Sequence, residues 1–295
     1  MKKLILLLFT LLCPYAMGGS LTVLQTLTPQ RFVLSIVNNL EPELPVPGCI
    51  KGARIDLDPR LDLDKNAKVN WAQADKAVEN FRGSRVRIQI TGFNAAQSFV
   101  IATECKRRWP WIKLYEGPNE PNNKTPARMY VSPKEHVQIL RNIKRAIGKD
   151  RFLIGGIFSC WDGWDYEYAE QFKKEGGFQV IDVFGINPHV AGEPLSQMFK
   201  MHYLAKGFHP KVEFTEWGMT PEWIAGVYGE FNEYTKAKAY LDGVLMARSL
   251  DVPITLYQGP MTGPQGLIHY LNGEGSGEPT LAMKWIDQTL KLLDD

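Results

Sequence analysis

The feature of this 295-residue sequence that most constrains its fold is a regular alternation of strand-like and helix-like segments. Short runs rich in β-branched and aromatic residues are separated by amphipathic segments with helical spacing. Strands are predicted near residues 32–37, 52–57, 85–91, 112–116, 152–158, 180–187, 212–216 and 254–258. Eight strands that alternate with helices, without a break in composition, predict an α/β fold that is a single (β/α)8 TIM barrel.

Helices are predicted between these strands at residues 71–81, 94–109, 132–148, 167–177, 195–207 and 232–250, with a last one at 281–293. An open doubly wound sheet is the alternative fold. It is disfavoured because no glycine-rich nucleotide-binding turn follows the first strand. The first crossover, "NNLEPELPVPGCI", contains three prolines and leaves little room for a helix, so the first βα unit is expected to be irregular.

The first residues, "MKKLILLLFTLLCPYAMGGS", have the pattern of a secretory signal. Two lysines precede a short apolar run, and small residues follow at cleavage spacing. We therefore expect residues 1–19 to be a signal peptide, residues 20–295 to be one barrel domain, and the protein to be secreted or periplasmic. A membrane anchor is the competing interpretation of the apolar run, and no other segment is long and apolar enough to span a bilayer.

Charge and cysteine usage exclude other classes of function. The formal net charge of +2 is too small for the dense basic face that nucleic-acid binding needs, so no nucleic-acid partner is expected. Removal of the signal would leave Cys49, Cys105 and Cys160, whose spacing fits no zinc site. Cys49 and Cys105 both fall near the amino-terminal end of the predicted barrel, which predicts a disulfide between them and a free Cys160.

Two carboxylates fall at positions where a barrel places its chemistry. Glu120 lies in "YEGPNEPN" after the fourth predicted strand, and Glu216 lies in "KVEFTEWGM" at the end of the seventh. Functional groups of such barrels sit at the carboxyl ends of the strands, so both side chains are expected at one mouth. A retaining glycosidase needs two carboxyl groups about 5–5.5 Å apart, one as nucleophile and one as acid and then base.

The pair of motifs "NEP" and "TEWG" resembles the clan A glycoside hydrolases, which include cellulases and β-mannanases. The likeness spans the barrel pattern. It implies that Glu120 is the general acid and base, that Asn119 hydrogen-bonds the sugar 2-hydroxyl, and that Glu216 is the nucleophile. No metal or organic cofactor is implied.

The resemblance extends to further positions. Arg54 lies in "GARIDL", the segment that ends the second strand, and resembles the arginine that pairs with the nucleophile, although a purely structural ion pair is an equal alternative. His189 in "INPHV" resembles a histidine that lines the site. Many relatives place a tryptophan after strand eight, where this chain has "LYQGPM", so Tyr257 or Gln258 is expected to take that role.

Tryptophans crowd the same predicted face. Trp161 and Trp164 follow the fifth strand, and Trp217 and Trp223 follow Glu216. Flat indole rings suit the C–H surfaces of sugars, so Trp161, Trp164 and Trp217 are predicted to bind substrate. Several such platforms favour endo action within a polymer. Packing under a loop is the alternative role for Trp161.

Two other carboxylates compete for the catalytic roles. Glu116 ends the fourth strand before Gly117 and Pro118, and Glu120 is preferred because Asn119 accompanies it. Strand alternation is expected to point Glu213 and Glu216 to opposite faces, since they are three residues apart. The acidic segment 56–66 departs from a calcium-loop pattern at Ala67 and Gln73, which favours a solvated loop.

These observations together predict a retaining β-glycosidase that cleaves a polysaccharide or oligosaccharide, acts within the chain and works as a monomer. Two alternatives stay open at this point. A barrel that binds carbohydrate without catalysis would keep the tryptophans, and a transglycosylase would use the same carboxylates with a different acceptor.

Overall fold

The structure, a computed structural model, describes residues 34–38, 49–57, 69–124, 130–160, 163–188, 194–256, 268–271 and 274–294. Predictions that fall on the signal segment, on the first crossover or on the acidic segment after residue 57 lie outside these ranges. The statements below concern the described residues.

Eight parallel strands form a closed barrel in which each strand pairs with its neighbours in chain order. They are β1 (Leu34–Asn38), β2 (Gly52–Leu57), β3 (Arg85–Ile90), β4 (Leu114–Glu116), β5 (Phe152–Ser159), β6 (Val183–Asn187), β7 (Val212–Trp217) and β8 (Ile254–Leu256). β1 pairs with β2 on one side and with β8 on the other, which closes the sheet. The predicted (β/α)8 barrel is confirmed, and the open sheet is excluded by this closure.

Nine helices lie within the described residues, and each predicted helix is among them. They are α1 (Trp71–Asn80), α2 (Ala95–Arg108), α3 (Pro133–Ile147), α4 (Tyr166–Lys174), α5 (Gly177–Val180), α6 (Pro194–Phe208), α7 (Pro221–Tyr228), α8 (Glu233–Ser249) and α9 (Leu281–Asp294). None of the described helices is long and apolar enough to cross a membrane. The sequence prediction missed α5 and α7, together with an antiparallel hairpin of β9 (Ile268–Leu271) and β10 (Glu274–Pro279).

The helix boundaries follow from local chemistry. Ser132 accepts a hydrogen bond from the backbone of Glu135, Pro133 occupies the first turn, and Gly148 ends α3 at φ 85°. α7 has the same kind of start, because the Thr220 side chain accepts from the Trp223 backbone ahead of Pro221. Apolar faces of the helices pack on the outside of the barrel and form one continuous core.

The predicted disulfide between Cys49 and Cys105 is wrong, whereas the prediction of a free Cys160 is confirmed. Cys49, Cys105 and Cys160 are all buried free thiols. Cys49 lies beside Asp287 of α9, whereas Cys105 packs on the inner face of α2, where burial raises the pKa of its thiol well above the usual value. The two thiols therefore have different neighbours, although both lie toward the amino-terminal end of the barrel.

Candidate active site

Glu120 is held by the backbone of the neighbouring strand. After β4 the Gly117 N–H donates to the Ile154 carbonyl at 3.0 Å, and the Glu120 N–H donates to the Ile157 carbonyl at 3.1 Å. β5 is irregular at this point, because its register against β6 shifts between Gly156 and Phe158. The extra length of strand brings the Ile157 carbonyl to the loop that carries Glu120.

Backbone strain is concentrated at the same place. Glu120 has φ 47° and Ile157 has φ 48°, both in the left-handed region that side chains other than glycine rarely adopt. Gly156, at φ 84°, has a second reason to be glycine, since a Cβ there would lie 2.3 Å from the Phe184 ring. Strained backbone that the surrounding structure enforces is often found at functional sites.

The loop after β4 is also fixed through side chains. Thr91 Oγ1 accepts a hydrogen bond from the Asn119 N–H at 3.1 Å. The Asn122 amide makes two bonds to the backbone of Ser159, donating to its carbonyl at 2.9 Å and accepting from its N–H at 2.8 Å. These contacts tie the loop to the ends of β3 and β5, so Asn119 and Glu120 sit on a rigid support.

Asn187 contacts the side chains of both Asn119 and Glu120. It ends β6, is fully buried, and its Nδ2 lies 3.1 Å from Asn119 Oδ1 and 3.3 Å from Glu120 Oε1. Its Oδ1 accepts from Thr215 Oγ1 at 2.7 Å. Asn123 Nδ2 lies 3.4 Å from the other oxygen of Glu120. Glu120 itself is only 3% exposed.

Glu216 forms an ion pair that crosses the barrel. Arg54 Nη2 donates to Glu216 Oε2 at 2.9 Å, while Arg54 Nη1 donates to the Thr215 carbonyl at 3.1 Å. Asp56, two residues along β2, holds the same guanidinium in a bidentate contact at 2.7 and 2.9 Å. The predicted pairing of Arg54 with Glu216 is therefore present, and Asp56 orients the arginine toward the Glu216 carboxylate.

The expected separation of Glu213 from Glu216 is wrong. Glu213 binds Arg85 and Arg87, and Arg87 also donates to the Thr215 carbonyl, so Glu213 and Glu216 both reach arginines of the barrel interior. The register of β7 against β8 shifts between Phe214 and Trp217. That irregularity breaks the two-residue alternation and turns Glu216 inward.

Glu116 completes a charged layer inside the barrel. Its carboxylate lies 2.7 Å from Arg87 Nε and 3.6 Å from Arg54 Nη1, and it accepts from Gln89 at 2.6 Å. Burial raises the pKa of Glu116 to about 7 against the opposing effect of the two arginines. Burial alone would lower the pKa of Arg54, but Asp56, Glu216 and Glu116 outweigh it and hold the pKa above its usual value.

The predicted aromatic platforms have different surroundings. Trp217 is 1% exposed and packs edge-on against Tyr240, with its ring filling the space over Gly243. The prediction that Trp217 contacts substrate is therefore corrected, because the residue after Glu216 points into the layer between barrel and helices. Trp164 is partly buried and packs on Phe184 and Phe208.

Other predicted site residues lie outside the described ranges, so the structure gives no placement for them: Trp161, His189, Tyr257 and Gln258. Within the described residues, no cluster of His, Cys, Asp or Glu side chains is arranged to hold a metal ion.

Sequence reasoning missed several residues that shape the site, above all Asn187, Thr215 and Asp56. A signal existed for Asp56, because residues two apart on a strand share a face and Asp56 follows Arg54 at that spacing. Asn187 stands in the same "INPHV" segment that drew attention to His189. Thr215 stands in the "TEWG" motif, but its contact with Asn187 depends on the alignment of β6 with β7, which the motif does not display.

Comparison with known proteins supports the fold. The sequence matches no protein-family model and none of the curated proteins. Solved structures do match. An endoglucanase from Thermotoga maritima has a TM-score of 0.55 at 14% identity, covering 86% of this chain and 96% of that one. A broad-specificity endoglucanase of glycoside hydrolase family 5 from Clostridium acetobutylicum has a TM-score of 0.57 at 11% identity, covering 90% and 98%.

A curdlan-specific exo-β-1,3-glucanase of family 128 from Blastomyces gilchristii, solved with glucose, is similar to the same degree. Its TM-score is 0.58 at 11% identity, covering 86% of this chain and 97% of that one. These matches show that the chain has a cellulase-like glycosidase fold. At such low identity they concern the fold, and the chemistry has to be argued from the site.

Proposed function

We propose that this protein is a retaining β-glycosidase in which Glu216 is the nucleophile and Glu120 is the general acid and base. The observation that carries the proposal is the contrast between the two carboxylates. Glu216 is paired with the buried Arg54, while Glu120 lies in a loop of neutral amides and a thiol at the same end of the barrel. A nucleophile must be ionised, and an acid must be able to hold a proton, so the two environments fit the two roles.

The proposed reaction has two steps. Glu216 attacks the anomeric carbon while Glu120 gives its proton to the leaving oxygen, which forms a covalent glycosyl-enzyme. Water then enters, Glu120 takes a proton from it, and the sugar leaves with its configuration retained. Arg54, fixed by Asp56, keeps Glu216 in one rotamer. Asn119, fixed by Asn187, is proposed to bind the sugar 2-hydroxyl.

The proposed substrate is a polysaccharide or oligosaccharide with β-linked sugars, cleaved by a secreted or periplasmic monomer after loss of the signal segment. His189, Tyr257 and Gln258, together with Trp161 and Trp164, are proposed as further substrate contacts. Endo action belongs to the proposal as well. Similar solved structures include both endoglucanases and an exo-glucanase, so the fold does not distinguish the two modes of action. The proposal of endo action rests instead on the predicted aromatic platforms for sugars.

Azide rescue tests the two roles directly. Small anions replace a deleted carboxylate, so Glu216→Ala with azide is expected to release an α-glycosyl azide and Glu120→Ala a β-glycosyl azide. The reverse pattern would exchange the assignments. Rescue of neither variant, on a substrate that the wild type cleaves, would contradict the mechanism.

A polysaccharide panel tests the class of activity. Wild type and Glu216→Gln are assayed in parallel, and a substrate cleaved only by wild type is the expected result. Binding of a glycan by both proteins with no new reducing ends would instead indicate a non-catalytic carbohydrate-binding barrel. Products joined to an added alcohol, in excess over the hydrolysed sugar, would indicate a transglycosylase.

A further inference from the structure

Asn187 links the two halves of the candidate site through its own side chain and through Thr215. Its nitrogen lies 3.3 Å from Glu120 Oε1, and its oxygen accepts from the Thr215 hydroxyl at 2.7 Å. Thr215 is fully buried and precedes Glu216, and its carbonyl accepts from Arg54 at 3.1 Å. Two sets of hydrogen bonds therefore meet at Thr215, one at its hydroxyl and one at its carbonyl, and together they connect the Glu120 carboxylate to the arginine that holds Glu216.

The proposed acid and base role sets a requirement on the neighbour of Glu120. A fixed donor stabilises the carboxylate, a fixed acceptor stabilises the protonated acid, and either one alone favours only one of the two steps. An amide carries both a donor nitrogen and an acceptor oxygen on one rotatable group. Asn187 donates to Glu120 and is also held by a rotatable hydroxyl, that of Thr215.

Thr215 can follow a rotation of that amide. Its hydroxyl lies 2.7 Å from Asn187 Oδ1 and 3.2 Å from the Ile186 carbonyl. If the amide turned by half a rotation, the hydroxyl could donate to the Ile186 carbonyl and accept from the amide nitrogen. Asn119 Oδ1, which accepts from the Asn187 nitrogen at 3.1 Å, would then face the Asn187 oxygen, so the Asn119 amide has to turn as well and donate to it. Both arrangements keep the Thr215 donor satisfied, which matters because the residue is fully buried.

We propose that Asn187 is a positioning residue for Glu120 whose amide donates to the carboxylate and, once rotated, accepts from the protonated acid, with the Thr215 hydroxyl and the Asn119 amide turning in step. This inference rests on the acid and base role proposed above for Glu120. It assigns to Asn187 the task of serving both steps of the reaction. Aspartate or leucine at this position would lack one of the two capacities.

The groups that face Glu120 come from several elements. Cys160 follows β5, and its thiol pKa is raised first by burial and then by the Glu120 charge. Asn123 lies on the same loop as Glu120, and Asn187 ends β6. Glu216, near the end of β7, contacts Arg54 of β2 instead. A test on Asn187 therefore needs a readout that is specific to the Glu120 carboxyl.

Carbon-13 NMR of glutamate-labelled protein gives that readout without any substrate. The Glu120 signal is identified by its loss in Glu120→Gln, and its titration midpoint is compared between wild type and Asn187→Asp. A second carboxylate beside Glu120 is expected to raise the midpoint by at least about one pH unit, or about tenfold in the acid dissociation constant. The basic limb of kcat/KM is expected to move the same way.

Asn142→Asp is the matched control, because the Asn142 amide donates to the Ala95 carbonyl at 2.8 Å on the outer helices. It is expected to leave the Glu120 midpoint within about 0.2 pH units of wild type. Thr215→Val and Thr215→Ser form a second pair that decides the proposal even if Asn187→Asp does not fold. Valine removes the hydroxyl and should raise the midpoint, and serine keeps the hydroxyl and should preserve the midpoint.

An unchanged or lowered midpoint in both Asn187→Asp and Thr215→Val would overturn the proposal, as would an equal loss of activity at every pH. If no sugar polymer is cleaved by wild type but the midpoints move as expected, the positioning role stands and the proposed glycosidase function fails. If azide rescue succeeds but the midpoints do not move, the proposed glycosidase function stands and the positioning role of Asn187 fails.

Discussion

Glu116 gives the sharpest quantitative prediction from this structure. It ends β4 in the charged layer inside the barrel and is fully buried. Burial raises its pKa from 4.5 to about 7, while Arg87 and Arg54 oppose the rise and Asp56 and Glu213 add to it. We expect Glu116→Gln to change how the free energy of unfolding depends on pH, because glutamine keeps the shape of the side chain but does not titrate.

The sign follows from proton binding. Between pH 4.5 and 7 the folded protein holds a proton on Glu116 that the unfolded chain has released, so the stability from this group is full at low pH and is lost as pH rises through 7. The interval between 4.5 and about 7 corresponds to about 3 kcal/mol. Stability of wild type minus that of Glu116→Gln should therefore fall by about 3 kcal/mol over this range.

Urea unfolding at a series of pH values between about 4 and 8 measures this difference, and contributions from most other groups cancel in it. Glu213→Gln is the matched control, since Glu213 is equally buried and also binds Arg87. The pKa of Glu213 is lowered overall, because the charges of the arginines outweigh the effect of burial. Its difference curve should be flat above pH 5. A flat or rising curve for Glu116→Gln would refute the reasoning.

Three further predictions follow from buried or strained positions. His136 is fully buried, and burial lowers its pKa from 6.5 to about 3. The free energy of unfolding of the wild type should therefore fall by up to about 4 to 5 kcal/mol as the pH falls between these values. His136→Phe should remove that fall in urea unfolding, and an unchanged dependence of stability on pH in the acid range would contradict the prediction. Gly243→Ala would place a Cβ 2.3 Å from the Trp217 ring and should lower the free energy of unfolding by about 1–3 kcal/mol. Gly226→Ala, in open space on α7, should raise it by up to about 1 kcal/mol. Thermal unfolding measures both, and equal effects would count against the packing argument. Glu120→Gly should be more stable than Glu120→Ala by about 1 kcal/mol because of the φ of 47°, with both inactive, and the opposite order in urea would show that this backbone is not strained.

The barrel was predictable because its signal is repeated. Each βα unit contributes a buried strand run and an amphipathic helix, so an error in one unit leaves the pattern visible in the others. α7 was predictable in principle, since Thr220, Pro221 and Gly229 are ordinary start and stop signals around a short helix. It was missed because its eight residues are too few for helical periodicity to stand out.

The site was only partly predictable. Position at strand ends singled out Glu120 and Glu216, since the (β/α)8 topology fixes which strand ends meet, and the family resemblance singled out Arg54. The contacts of Asn187 and the burial of Trp217 depend on strand registers, which the sequence does not display. A register shift of one residue reverses which face of the sheet a side chain occupies. Beside this site the register shifts in two places, in β5 against β6 and in β7 against β8.

These two register shifts position the charged residues of the candidate site. In an ideal strand, Glu213 and Glu216 would face opposite sides, and only one of them could reach the arginines of the interior. The irregularity in β7 lets Glu213 bind Arg87 while Glu216 binds Arg54. In β5, the strained Ile157 supplies the carbonyl that holds Glu120 in its own strained conformation. Residues in such conformations cost about 1–3 kcal/mol each, and a closed barrel with a continuous core can hold them in place. The coincidence of strain at Glu120 and bulging at Glu216 is therefore an argument for function that does not depend on the two sequence motifs.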